Sequence, residues 1–321
     1  MPRISVIVPL YNKAGYIDRC LDAILGQSFT DFELIVVNDG STDGSEKAVE
    51  RRLDPHDPRL RLVSQQNAGP GSARNHGVRL AQSPLVAFLD GDDSWDKDYL
   101  KDSVARMEAA APDVASLTWA MTVYPGGEST GQLWKSLAIH EGLFRAVPTT
   151  PASVIVARLA NMLPSSTVIR TAIFRDLGGY YAKYRCVYSE DTYLYMKMLL
   201  RYAVIFDARA LPIRFEDASE LAKNYAGVRP IEPFLVDPDG LFDDCPEPMR
   251  PLLRETLVRR ALKTASVYGY WGRVEESRNL VRRFVLAKDW RLPYFFTAMV
   301  GCTRLGGWAG WMARTAGGMR G

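Results

Sequence analysis

Three carboxylates fall within four residues at the end of an apolar stretch, in Phe88-Leu89-Asp90-Gly91-Asp92-Asp93. Like charges this close repel one another and destabilise the fold unless a cation neutralises them. Oxygen-only ligands suit Mg²⁺ or Mn²⁺, which commonly bridge protein carboxylates and ligand phosphates. A solvated acidic turn would carry the same residues, so taken alone the cluster supports either explanation. A second polar cluster is Asn38-Asp39-Gly40-Ser41-Thr42-Asp43-Gly44-Ser45. Asp39 could accept hydrogen bonds from a base or ribose, whereas Asp43 and Ser45 suit an Asx turn and a helix cap. A third, Asn67-Ala68-Gly69-Pro70-Gly71-Ser72-Ala73-Arg74-Asn75, has small residues that let backbone approach a ligand. Its Arg74 offers charge and planar donors. It is no dinucleotide fingerprint, because Arg74 stands where a third glycine would be needed.

The elements around these clusters alternate. Ile4–Val8, Phe32–Val37, a stretch near Leu60–Val63 and Leu85–Leu89 read as short buried strands. Between them, Ile17, Cys20, Leu21, Ile24 and Leu25 recur at helical spacing, and helical character returns around Ser45–Arg52 and Ser72–Ala81. Continuous apolar strands separated by helices predict a mostly parallel α/β sheet flanked by helices, of Rossmann-like type. Such sheets bind ligands at the carboxyl ends of their strands, where Pro9–Asn12, Asp39–Ser41 and Asp90–Asp93 all fall. From Arg106 to Pro151 the pattern is irregular. Thr167-Val168-Ile169 reads as a strand, and Leu194, Met198 and Leu199 continue a helix behind Ser189-Glu190-Asp191.

Together, Ser5–Asn12, Asn38–Ser45, Asn67–Gly77 and Phe88–Asp93 resemble the family 2 glycosyltransferases of GT-A fold, in order, spacing and sheet position. The resemblance covers about residues 3–225. It implies an inverting enzyme with a nucleotide-sugar donor, UDP being the commonest nucleotide, and a saccharide or lipid-linked saccharide acceptor. Pro9, Tyr11, Asn12, Asp39, Gly69, Arg74, Asp90, Asp92 and Glu190 would bind the donor. Asp90, Asp92 and Asp93 would form the family's DxD-type motif for Mg²⁺ or Mn²⁺, with Asp92 the direct contact. Asp191, second of the Glu-Asp pair, would be the catalytic base. A helix start capped by Ser189 is the competing explanation there, although Thr192 three residues on makes no capping box. Relatives often carry a histidine after this helix. Here Ile213-Arg214-Phe215-Glu216-Asp217 has none, which leaves Glu216 or Asp217 as substitutes, or the pyrophosphate alone. The QxxRW signature of processive members is absent, so single transfers are expected.

The tail differs from the rest. Residues from Arg250 onward carry 14 Lys/Arg against 4 Asp/Glu, a balance of +10. Within a net charge of +3, residues 1–249 therefore carry −7. Trp271, Trp290, Trp308 and Trp311 mix with Arg282, Arg283, Lys288, Arg291, Arg304 and Arg314. Leu292–Ala316 is apolar, but Arg304 and scattered glycines argue against a spanning helix. An interfacial segment attracted to an anionic membrane surface and helices packed back on the core both remain open. The predicted organisation is a catalytic domain over 1–225, with a nucleotide-binding half (1–105) and an acceptor half (106–225). A Pro-rich connector (226–250) and a basic helical C-terminal region (251–321) follow. Isolated Cys20, Cys186, Cys245 and Cys302 and isolated His56, His76 and His140 exclude a zinc knuckle or a histidine-rich metal site. The start carries no secretory leader, so a cytoplasmic setting, peripheral at the inner face of the membrane, is expected. Nucleic acid is not an expected partner. Two other functions compete: a non-catalytic nucleotide-sugar or lipid-binding protein at the membrane, and a haloacid-dehalogenase-type phosphatase suggested by Asp90-Gly91-Asp92.

Overall fold

The computed structural model describes residues 1–216, 228–303 and 306. They fall into two compact units, one within 1–146 and 157–220, the other within 147–156 and 221–321.

The first unit opens as alternating strand and helix: β1 (Ile4–Leu10), α1 (Ile17–Leu25), β2 (Phe32–Asn38), α2 (Ser45–Glu50), β3 (Leu60–Ser64), α3 (Pro70–Leu80) and β4 (Leu85–Phe88). β1, β2 and β4 are buried almost throughout, and α1 buries Ile17, Cys20, Leu21 and Ile24, one side of its helical repeat. The chain continues through β5 (Ser94–Trp95), α4 (Tyr99–Ala109), β6 (Val114–Tyr124), β7 (Glu128–Ser129), α5 (Thr130–Ser136), β8 (Gly142–Phe144) and α6 (Ala152–Leu159), of which residues 152–156 are counted with the second unit. β9 (Thr167–Arg170), α7 (Thr171–Asp176), α8 (Glu190–Arg201) and β10 (Ala203–Phe215) complete it. One ten-stranded sheet runs β3-β2-β1-β4-β9-β6-β10-β5, with β7 on β6 and β8 on β10. The half β3-β2-β1-β4 is all parallel, while β9 joins β4 and β6 antiparallel. β1 lies between β2 and β4 with Leu10 beside Asn38 and Ile7 beside Phe88, so three polar loops leave the same edge. This is the edge at which an α/β sheet binds ligands.

Two long strands carry no strand signal in the sequence: β6 lies in the stretch that reads as irregular, and β10 in one that offers no clear pattern. β6 is buried over Val114–Met121 although it carries Ser116 and Thr118; Thr118 meets Thr167 of β9 at 3.1 Å. β10 pairs parallel with β6, and its register shifts at Asp207/Ala210 and Ala210/Ile213.

The second unit is helical: α9 (Pro233–Val236), α10 (Asp239–Asp244), α11 (Arg250–Tyr270), α12 (Val274–Phe284) and α13 (Phe295–Gly301). The segment expected as a Pro-rich connector therefore contains two short helices, each beginning beside a proline. α11 and α13 cross closely because glycines meet: a Cβ on Gly269 would lie 2.3 Å from Gly301 Cα. No helix among the described residues is long and apolar enough to cross a membrane. Asp217, Arg304, Trp308, Trp311 and Arg314 lie outside the described residues. All four cysteines are free.

Candidate active site

The acidic turn after β4 is tied down residue by residue. Asp93 N donates to Asp90 O at 2.9 Å, closing the turn. Ser165, just before β9, donates its hydroxyl to Asp93 Oδ2 at 2.8 Å and accepts from Asp90 N at 3.3 Å. Asp93 is buried, and burial together with the charges of Asp90 and Asp92 pushes its carboxyl up to about 8. Asp92 is raised as well, by burial and by Asp90, against the opposing pull of Lys13. Lys13 Nζ donates to Asp92 Oδ2 at 2.8 Å, and Arg19 donates to the Asp92 carbonyl at 2.6 Å.

Asp90 turns to another cation. Arg74, on the first turns of α3, is 4% exposed and donates from Nη2 to Asp90 Oδ1 at 2.5 Å and from Nη1 to Glu190 Oε1 at 2.8 Å. Burial alone would lower its pKa, but the two carboxylates outweigh burial and keep it charged. Its guanidinium lies over Tyr180, 5.6 Å from the ring centre, and Arg74 Nε is buried without a partner. Arg74 thus faces the chain's own acids and links the end of β4 to the start of α8.

α8 begins unusually. Ser189 sits in the left-handed region at φ 59°, and its hydroxyl donates to Thr192 Oγ1 without capping any backbone N–H. The capped-helix explanation for this segment therefore lacks its hydrogen bond. Asp191 Oδ1 instead accepts from Thr192 N at 2.8 Å. Burial first, and then the neighbouring charge of Glu190, push Asp191 up to about 7, against the lowering effect of Arg74. Such a value suits a group that exchanges protons near neutrality.

Asp39 follows β2 and is 2% exposed. Its Oδ1 accepts from Gln65 Nε2 at 2.8 Å and Ala68 N at 2.9 Å, and its Oδ2 from Gly69 N at 2.9 Å. A carboxylate has about four acceptor positions, so roughly one is left for a ligand. Asn12, at φ 51°, accepts from Thr42 N at 2.9 Å, and Pro9 and Tyr11 flank it, Tyr11 being 44% exposed. Asp43 and Ser45 are structural: Asp43 accepts from Ser45 N and Ala14 N, and Ser45 accepts from Lys13 N. The small residues of the third cluster face the chain itself. A Cβ on Gly69, at φ 93°, would lie 2.8 Å from Cys186 O, and one on Gly71 would lie 2.7 Å from Tyr181 O and 3.1 Å from Glu190 Cγ. The backbone approach expected toward a ligand is made here by the segment leading into α8.

The donor chemistry fits a divalent cation in one respect and limits it in another. Burial first, and the neighbouring carboxylates second, raise Asp92 and Asp93, and a cation would relieve the second of these. Among the described residues, however, no three His, Cys, Asp or Glu side chains gather as a metal-binding group. The cause is visible: Asp90 is turned to Arg74, Asp92 to Lys13 and Asp93 to Ser165. Mg²⁺ is commonly held by one or two carboxylates with substrate phosphates completing the shell, and Asp92 and Asp90 are the acids that would hold it here. Glu216 is exposed at the end of β10. Sequence reasoning missed Lys13 and Ser165. Lys13 directly follows the Pro9–Asn12 segment, which is a usable signal; nothing local marks Ser165.

Residues 5–156 match the family described as Glycosyl transferase family 2. That stretch, residues 5–156, is similar to the members of this family. A glycosyltransferase of Bacillus subtilis, EpsJ, is 42% identical over 93 residues, 29% of this chain and 27% of that protein, so the chain spans little more than a quarter of that relative's length. Among solved structures, Staphylococcus aureus TarS 1-349 in complex with UDP-GlcNAc aligns with a TM-score of 0.72 at 20% identity, over 98% of this chain and 92% of that one. The mannosyltransferase PcManGT of Pyrobaculum calidifontis, in complex with GDP-Man and Mn²⁺, aligns at 0.51 and 19% identity, over 99% and 88%. The fold is of the GT-A type.

Proposed function

We propose that this chain is a glycosyltransferase that transfers a sugar, with inversion, from a UDP-linked donor to a hydroxyl of a saccharide or lipid-linked saccharide. Such a reaction would serve cell-envelope or extracellular polysaccharide synthesis. The observation that carries the reading is a single buried guanidinium, Arg74, shared by the acidic turn after β4 and the acidic start of α8. It brings a cluster with surplus negative charge and a carboxyl poised near pH 7 into one site. The UDP-GlcNAc bound by TarS and the Mn²⁺ in the PcManGT complex support the donor class and the cation.

In this reading, Asp39 uses its remaining acceptor position for the nucleoside, beside Pro9, Tyr11 and Asn12. A divalent cation at Asp92 and Asp90 would supply positive charge for the departing diphosphate. Lys13 adds charge at the same place. Asp93 and Ser165 hold the turn. Arg74 and Glu190 act as positioning residues, and Asp191 accepts the proton of the attacking acceptor hydroxyl. Residues 1–225 form the catalytic domain, 226–250 the connector and 251–321 a basic helical region at the cytoplasmic face of a membrane.

The test is release of nucleoside diphosphate from UDP-, GDP- and dTDP-sugars with acceptor mixtures. Asp191→Asn should lower turnover about 10²–10⁴-fold while donor binding, read by thermal shift, stays within about twofold. Normal turnover by that variant would end the base assignment.

A further inference from the structure

The second unit carries a surface that the proposed chemistry does not use. Within residues 286–300, Leu286 (53%), Trp290 (50%), Tyr294 (50%), Phe296 (68%) and Val300 (56%) are all exposed. Residues 290–297 line an open basin of about 520 Å³. Tyr294 adopts φ 67°, in the left-handed region, where α13 starts. The charge pattern is one-sided. The segment's sole acid, Asp289, is buried, accepts from Leu286 N at 2.8 Å and pairs with Arg254 at 3.0 Å. Lys288 and Arg291 face outward, and Arg291 lies over the Trp290 ring at 4.9 Å.

We propose that this face docks on an anionic lipid bilayer surface, with Leu286, Trp290, Tyr294 and Phe296 entering the headgroup boundary and Lys288 and Arg291 pairing with lipid phosphates. The inference deepens the reading above, because an acceptor carried on lipid would be met at such a surface. Trp and Tyr favour the membrane interface because a ring buries its apolar body while its polar end stays wet. Neighbouring Lys and Arg add attraction to anionic headgroups within a Debye length. A protein partner would ask for charge complementarity of its own. Exposed Lys288 and Arg291 beside exposed Trp290, Tyr294 and Phe296 match the chemistry of an anionic bilayer instead.

The experiment is co-sedimentation of the full chain with phosphatidylcholine vesicles containing about 30% phosphatidylglycerol, or none. Binding should require the anionic lipid and weaken in high salt. Lys288→Glu with Arg291→Glu should weaken it by roughly fivefold or more per position. Trp290→Ser with Phe296→Ser should weaken it about tenfold or more with melting temperature and donor binding unchanged. Three outcomes overturn the proposal: no binding to anionic vesicles, binding that ignores both double variants, or concentration-dependent self-association abolished by the serine variants, which would make the face a contact between copies. Vesicle binding is read without turnover, so its failure leaves the glycosyltransfer reading standing, and inactivity toward every donor would leave this one standing.

Discussion

Replacing Glu190 with Gln should make the enzyme faster at acid pH. The substitution keeps Oε1, which accepts from Arg74 Nη1 at 2.8 Å, and removes one negative charge beside Asp191. That charge is the second influence raising Asp191, after burial, and Arg74 opposes both. Two unit charges ~6 Å apart interact by roughly 3 kcal/mol at an effective dielectric of about 20. Asp191 is only partly buried by surface area, and solvent screens a good part of this, which leaves about one pH unit at 1.36 kcal/mol per unit. The acid limb of the turnover profile should therefore lie near pH 7 in the natural protein and near about 6 in the variant. At about pH 6 the variant then holds roughly fivefold more of the basic form. The assay is nucleoside diphosphate release across pH ~5 to ~9 at saturating cation, with circular dichroism confirming the fold. An acid limb that stays in place, or that moves upward, would refute the electrostatic coupling.

Two further outcomes concern stability. Asp93 has its folded pKa raised to about 8, so the native state keeps a proton that the unfolded chain releases near the ordinary carboxyl value. Stability from this group is complete at low pH and is lost as pH rises through about 8; Asp93→Asn should flatten that decline, and melting temperatures at pH ~6 and ~9 without cation check it. Gly71→Ala puts a Cβ 2.7 Å from the Tyr181 carbonyl, which should cost about 1–3 kcal/mol and lower the melting temperature by ~3–10 °C. An unchanged melting curve would mean that the segment before α8 yields freely.

The half over residues 1–105 was legible because each strand is an uninterrupted apolar run that ends in a polar turn. Ile4–Val8, Phe32–Val37 and Leu85–Leu89 appear within a residue or two of β1, β2 and β4. β6 and β10 were not legible. β6 buries Ser116 and Thr118, and only the partner across the sheet, Thr167, satisfies Thr118. β10 contains Asp207, Arg209 and Pro212, and its register shifts break the two-residue alternation that marks a strand. At the site, the acidic residues were visible as types, but their partners were not. Arg74 meets Glu190 across 116 residues, and no local pattern encodes that pair. Small residues at 69 and 71 suggest backbone approach to a ligand, whereas the close approach seen is by the chain's own segment before α8.

The proposed transfer requires the acidic turn after β4 to share its charge with a cation and a diphosphate. Titration calorimetry of UDP with and without Mn²⁺, on the natural protein and on Asp92→Asn, tests this directly. Affinity for UDP should rise about tenfold or more with Mn²⁺ in the natural protein and by less than about twofold in the variant. Equal UDP affinity with and without the cation would contradict the account.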